Sequence, residues 1–239
     1  MHLILLLFLS LGHVQAQNAH FWDGIERFDG PTDDNPVLAA QLDFYFDNLV
    51  FPLPDSITLE IKRLVERTSF NYNLRDFILW HLLEKYHHPE YMSQDQVFVW
   101  LYDQYFSQLK IMDLNETNLA FIREMAERLR RLALFNTAPN FHLNDSIDLQ
   151  SLESKYTVLF FYDHDCDLCQ QEMRILDSVY DSHLEIITLT IDMNPDSEGF
   201  NPDLYDLYDI ETMPLIYVLD EDKRIIAKKI RARQIPLIL

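Results

Sequence analysis

Tyr156-Thr-Val-Leu-Phe-Phe-Tyr162 runs directly into Asp163-His-Asp-Cys-Asp-Leu-Cys169. The first seven residues are apolar, aromatic and β-branched, the signature of a buried strand. The stretch after the second cysteine, Gln170 to Tyr180, places Met173, Leu176 and Tyr180 on one helical face. Cys166 therefore falls where a strand hands over to a helix, and Cys169 lies in the first helical turn. Free N–H groups and the positive end of the helix dipole stabilise a thiolate there, and the thiolate is the nucleophile of disulfide exchange. Residues three apart on a first turn lie side by side, so a disulfide can close with little backbone movement.

The segment from Tyr156 to Cys169 resembles the active-site strand and C-x-x-C of the thioredoxin superfamily. Upstream, Thr137-Ala-Pro-Asn-Phe-His-Leu-Asn-Asp145 resembles the A-P-x-F-x-L entry of its TlpA/ResA-like branch. Downstream, Thr212-Met-Pro-Leu-Ile-Tyr-Val-Leu-Asp220 resembles the cis-proline strand. The three occur in the family's order. The resemblance implies an α/β thioredoxin-like fold at the C-terminal end, with Cys166 as attacking thiolate and Cys169 as resolving thiol. It implies Pro214 as the cis-proline that sits beside the cysteines and presents backbone groups to a substrate peptide. Its expected partners are disulfide-containing protein substrates and an upstream thiol donor, with no cofactor. Two departures stand out: Met213 occupies a place where threonine or isoleucine is common, and Phe160, six before Cys166, replaces the buried carboxylate of many thioredoxins.

The totals narrow the classes. A chain of 239 residues accommodates one or two domains. A net charge of −20 argues against nucleic-acid or anionic-membrane binding, which need basic surface. Four glycines leave no phosphate-cradling loop. Both cysteines are spent in the C-x-x-C, so no other disulfide is available. At the start, Leu3 to Leu11 is apolar apart from Ser10, too short to span a bilayer, and Val14 and Ala16 are small residues before a cut. Residues 1–16 read as a secretory signal peptide, cleaved after Ala16, with an uncleaved anchor as the alternative. The mature protein is expected in the periplasm or secreted, with no stable membrane insertion.

Residues 17–134 are expected to form an all-α helical domain. Gln17 to about Asp34, which includes the aromatic His20-Phe-Trp-Asp23, is read from its Gly, Pro and Asp content as an extended lead-in with turns. Five amphipathic stripes follow: Val37 to Leu49, Ile57 to Val65, Leu74 to Tyr86, Val97 to Leu109 and Leu119 to Ala133. Ser93 with Gln96, and Asp113 with Glu116, suggest capping boxes opening the last two. The region resembles an uncharacterised helical domain found before thioredoxin-like domains in Gram-negative envelope proteins, a likeness that implies no activity. Trp22, Trp80, Trp100 and Tyr105 are read as core residues, with a partner groove as the sharper alternative.

Residues 135–239 are expected to form the thioredoxin-like domain: a short strand near Phe141–Asp145, strand Tyr156–Tyr162, helix Cys166–Ser182, strand Glu185–Asp192, a short helix Pro202–Asp209, strand Leu215–Leu219 and strand Arg224–Lys229. The chain then ends where a thioredoxin fold usually adds a full helix. Pro236 permits one turn at best, and the helical domain is the expected cover for that sheet face.

The electrostatics of the site are mixed. Asp163, Asp165 and Asp167 push the Cys166 pKa up, while the helix dipole and a protonated His164 push it down. A mildly reducing pair is expected, since a strongly stabilised thiolate makes an oxidant. Three other readings compete with an oxidoreductase. A metallochaperone could use Cys166, Cys169 and His164 with His142 or His183, but one C-x-x-C supplies only two thiolates. His87-His88 before Pro89 reads instead as a helix C-terminus suited to the dipole. A peroxidase lacks the hydroxyl it needs, because Asp163 stands three before Cys166. A non-catalytic binding module would keep the fold and make little use of the cysteines.

Overall fold

A computed structural model describes residues 20–28, 30, 35–108, 111, 114–144, 146–179, 183–191 and 202–239. The candidate leader at 1–16, Leu109, Asp113, Asp145, Tyr180, Asp192 and the loop at 195–199 lie outside them. The chain divides into two compact units, 1–123 and 124–239. Sequence patterning puts the boundary at 134/135. The division falls earlier, inside a helix, because Leu132 and Leu134 pack with the core of the sheet-bearing unit.

The helical unit contains α1 (Pro36–Asn48), α2 (Pro54–Arg67), α3 (Tyr72–His87), α4 (Asp95–Gln104) and the start of α5 (Glu116–Arg131). Each begins for a local reason. Asn35 and Asn71 accept hydrogen bonds from the N–H groups of Leu38 and Leu74, capping α1 and α3. Pro36 and Pro54 sit in first turns, where a missing N–H costs nothing. The stripes converge: Leu38, Leu42, Ile57, Ile61, Leu64, Leu74, Ile78, Leu82, Val97 and Leu101 are buried. Within the lead-in, Ile25–Arg27 is a 3-10 turn, one of the turns expected there, entered through Gly24 at φ 89°. Phe21 packs tilted and Trp22 edge-on against Tyr45, with ring centroids 5.0 and 5.2 Å apart. The expected Ser93–Gln96 capping box does not form: α4 starts at Asp95 without a side-chain cap. Asn115 caps α5 by accepting from the Asn118 N–H at 2.8 Å, and Asp113 of the second expected box lies outside the described residues.

The second unit is built on a four-stranded sheet of order β4-β3-β5-β6, with β3 (Tyr156–Tyr162), β4 (Leu184–Thr190), β5 (Leu215–Leu219) and β6 (Ile225–Lys228). A separate two-stranded ribbon, β1 (His142–Asn144) with β2 (Ile147–Asp148), precedes it. β3 pairs parallel with β4 and antiparallel with β5, and Phe160 is opposite both Thr188 and Ile216. Five central residues of β3 and all of β5 are buried, as their unbroken apolar sequences require. On one sheet face Leu159, Phe161, Leu215, Tyr217 and Leu219 join Leu132, Phe141, Leu204 and Tyr208 in a single core. Tyr208, from just after the short helix α7 (Pro202–Leu207), donates to the Pro139 carbonyl at 2.6 Å.

Helix α6 (Asp167–Leu176) is shorter than Cys166–Ser182, and its buried face is Cys169, Glu172 and Leu176, with Met173 half-buried. The closing segment differs from the one-turn expectation. Ala232–Leu237 forms a six-residue 3-10 helix that accommodates Pro236, packs against α6 and buries Ala232 and Ile235. A 3-10 helix suits a short closing segment, since it forms without a long run of turns.

Candidate functional site: a disulfide at a helix N-terminus

β3 delivers the chain to the end of the sheet, and the turn at Asp163–Asp165 swings it into α6. That turn is fixed by the Asp163 carboxylate, which accepts from the Asp165 N–H at 2.8 Å, and by the Cys166 N–H donating to the Asp163 carbonyl at 3.3 Å. Cys166 is the N-cap residue of α6 in extended conformation, and its Sγ accepts from the Cys169 N–H at 3.0 Å. The capping place usually taken by a hydroxyl or carboxylate is thus held by sulfur. An N–H pointing at Sγ, at the positive end of the helix, favours the thiolate when the bond is open.

Cys166 and Cys169 are joined in a disulfide, with Cα atoms 5.2 Å apart. The two sulfurs are not equivalent. Cys166 is half-buried and Cys169 fully buried. Of the two, only Cys166 presents surface to solvent. The Met213–Pro214 peptide bond is cis, and the Met213 carbonyl oxygen lies 4.0 Å from Cys166 Sγ. The fold therefore gathers the three sequence-predicted site residues, Cys166, Cys169 and Pro214, at one end of the sheet. His142, His164 and His183 are not gathered with the cysteines into a set of three or more metal ligands among the described residues. Phe160 is fully buried, which leaves the place six before Cys166 without an ionisable group.

One residue escaped the sequence reading. Glu172 follows Cys169 by three and shares its buried helix face. Its Oε2 accepts from the Ala232 N–H at 2.6 Å, and Oε1 lies 3.7 Å from Arg231 Nη1. The carboxylate ties α6, the helix carrying the disulfide, to the closing 3-10 segment. The available signal was a glutamate at an apolar stripe position, but its partner Ala232 lies 60 residues away. In the helical unit, Trp22 is buried, Trp100 and Tyr105 pack edge to face at 5.7 Å, and Trp80 lines an apolar groove of about 680 Å³ with Phe77, Phe98 and Phe121.

A helical region followed by an α/β unit of this topology, with a disulfide at the β3–α6 junction beside a cis-proline, is a thioredoxin-like fold. Residues 144–228 match the family model described as TraF, F plasmid transfer operon protein. No curated protein matches the chain. Among solved structures, a thioredoxin-like protein from Bacteroides caccae is similar over 94% of this chain and 91% of its own, at 15% identity and TM-score 0.68. A domain described as a possible thiol-disulfide isomerase from Cytophaga hutchinsonii is 29% identical, covering 44% of this chain and 89% of its own at TM-score 0.37. A thiol:disulfide interchange protein from Bacteroides sp. is 22% identical, with 44% and 86% coverage and TM-score 0.36.

Proposed function

We propose that the chain is an extracytoplasmic thiol-disulfide oxidoreductase of the TlpA/ResA-like branch, reducing or isomerising protein disulfides. The observation that carries this reading is the asymmetric pair: a reachable Cys166 Sγ capped by a helix N–H, bonded to a buried Cys169, 4.0 Å from the carbonyl that precedes a cis-proline. In the reduced protein the Cys166 thiolate attacks a substrate disulfide. An S–S bond forms to Cys166, and one substrate sulfur leaves as thiolate. The Cys169 thiolate then attacks Cys166 Sγ, the second substrate sulfur leaves, and the internal disulfide closes. Two electrons pass from the protein to the substrate, and two electrons from an upstream dithiol donor restore the pair. The apolar run at Leu3 to Leu11 and the small residues before position 17 support export, where disulfide substrates occur.

The test is turnover of a protein disulfide with a dithiol as donor. Wild type is expected to turn over, Cys166→Ser to lose turnover, and Cys169→Ser to accumulate mixed disulfides. A Cys166→Ser chain as active as wild type would remove the proposal.

A further inference from the structure

Charge around Cys166 is one-sided. Asp163, Asp165 and Asp167 lie within three residues of it, and no lysine or arginine occurs between Tyr156 and Met173. Asp165 and Asp167 are exposed and Asp163 is half-buried. Their placement is fixed: Asp163 holds the Asp165 N–H, and Asp167 opens α6 directly after the capping cysteine. His164, also in the turn, is exposed, and its carbonyl accepts from Gln170 Nε2. Glu172 behind Cys169 is engaged with Ala232 and Arg231. The reactive sulfur that a partner must approach is thus framed by carboxylates.

We infer that this site selects its redox partners by charge, favouring thiols and disulfides carried on positively charged surface over anionic ones. The inference rests on the exchange reading above. A thiolate attacking the internal disulfide forms an S–S bond to Cys166 Sγ and displaces Cys169 as thiolate, which takes a proton from solvent. A second thiolate attacks the outer sulfur of the mixed disulfide and frees Cys166, so two electrons enter the protein. Each approach brings negative charge toward the aspartates. A single unit charge at about 6 Å in water alters such a rate about threefold. A compensating ammonium on the attacking molecule removes that penalty, and salt screens it.

The experiment measures reduction of the Cys166–Cys169 disulfide in the full chain by cysteamine, 2-mercaptoethanol and 3-mercaptopropionate. Each rate is divided by the rate of the same thiol on uncharged hydroxyethyl disulfide, which cancels intrinsic nucleophilicity. At about 10 mM salt the normalised rates are expected to fall in that order over about tenfold or more, and to converge near 1 M, where the screening length is about 3 Å. In Asp163→Asn/Asp165→Asn/Asp167→Asn, which keeps the Asp163 acceptor oxygen, the span is expected to shrink to about threefold or less. The single variants, with intermediate spans, keep the test intact if the triple variant does not fold. Equal normalised rates at low salt, or an undiminished span in the variants, overturn the inference while leaving exchange itself standing. A disulfide that none of the three thiols reduces overturns both.

Discussion

The two units differ in how they satisfy several of their buried polar groups. In the helical unit some partners are close in sequence, although the buried Tyr45 hydroxyl donates to Glu60, 15 residues away. Asp76 accepts from adjacent Arg75 at 2.8 Å, Thr68 donates to the Leu64 carbonyl four residues back, and Asp95 accepts from adjacent Gln96. In the sheet unit Thr157 pairs with Ser154 three residues back, but the buried charged groups reach farther. Glu172 is tied to Ala232, Lys223 donates to the Ser154 carbonyl, fully buried Lys228 donates to the Leu132 carbonyl at 2.6 Å, and buried Asp209 pairs with Lys229 at 2.6 Å. The sequence separations of the first three are 60, 69 and 96 residues. A unit held by local partners reveals itself in periodicity and caps. One pinned by distant partners hides its fastenings until the chain has folded, and the disulfide site stands on the second kind.

The comparison can be broken by mutation. The largest effect is expected from Phe161→Ala, which opens a cavity where Phe161 meets Tyr208 and Tyr217 at ring distances of 5.1 and 6.1 Å. A loss of about 3–5 kcal/mol is expected, read as a lowered denaturation midpoint of the sheet unit. Next comes Lys228→Ala, which strands the buried Leu132 carbonyl and is expected to cost about 1–3 kcal/mol. The local counterpart, Thr68→Val, removes a buried hydroxyl that donates to the Leu64 and Val65 carbonyls and is expected to cost about 1 kcal/mol. If Thr68→Val proved costlier than Lys228→Ala, distant pins would not be what distinguishes the sheet unit.

The smallest effect concerns acid. Burial pushes the Asp43 carboxyl up, but the hydrogen bond to His81 and the charges of Lys85 and His81 outweigh it and hold the pKa below the usual 3.8. Nε2 of His81 lies 3.0 Å and Nζ of Lys85 3.2 Å from Asp43. A depressed folded pKa gives stability that is present above the unfolded value and lost as pH falls through it toward the folded one. Asp43 is 45% exposed, so solvent screening keeps the contribution below about 1 kcal/mol. Asp43→Asn is expected to cost that much at neutral pH and nothing at about pH 2, by paired denaturation curves. An equal cost at both pH values would assign the effect to packing.

Legibility in the sequence followed the same division. The stripes of α1, α2 and α3 gave their positions because apolar spacing and helix burial are the same fact. β3 and β5 were legible as unbroken apolar runs, and the paired cysteines marked the strand-to-helix junction. What stayed hidden depends on contacts made only in three dimensions. Glu172 looks like any helical glutamate until Ala232 meets it. The closing 3-10 helix was unreadable because Pro236 argues against an α-helix and says nothing of a tighter one. The Ser93 capping box failed because its pattern is cheap, occurring wherever a serine precedes a glutamine by three.

The central claim is that Cys166 and Cys169 form a reactive, reversible pair. Its most direct test is redox titration of the full chain against glutathione, with trapped thiols counted at each point. The account predicts a two-electron transition at roughly −200 to −270 mV, lost in Cys166→Ser. A disulfide that stays closed at potentials well below about −300 mV would be a structural staple and would contradict the account.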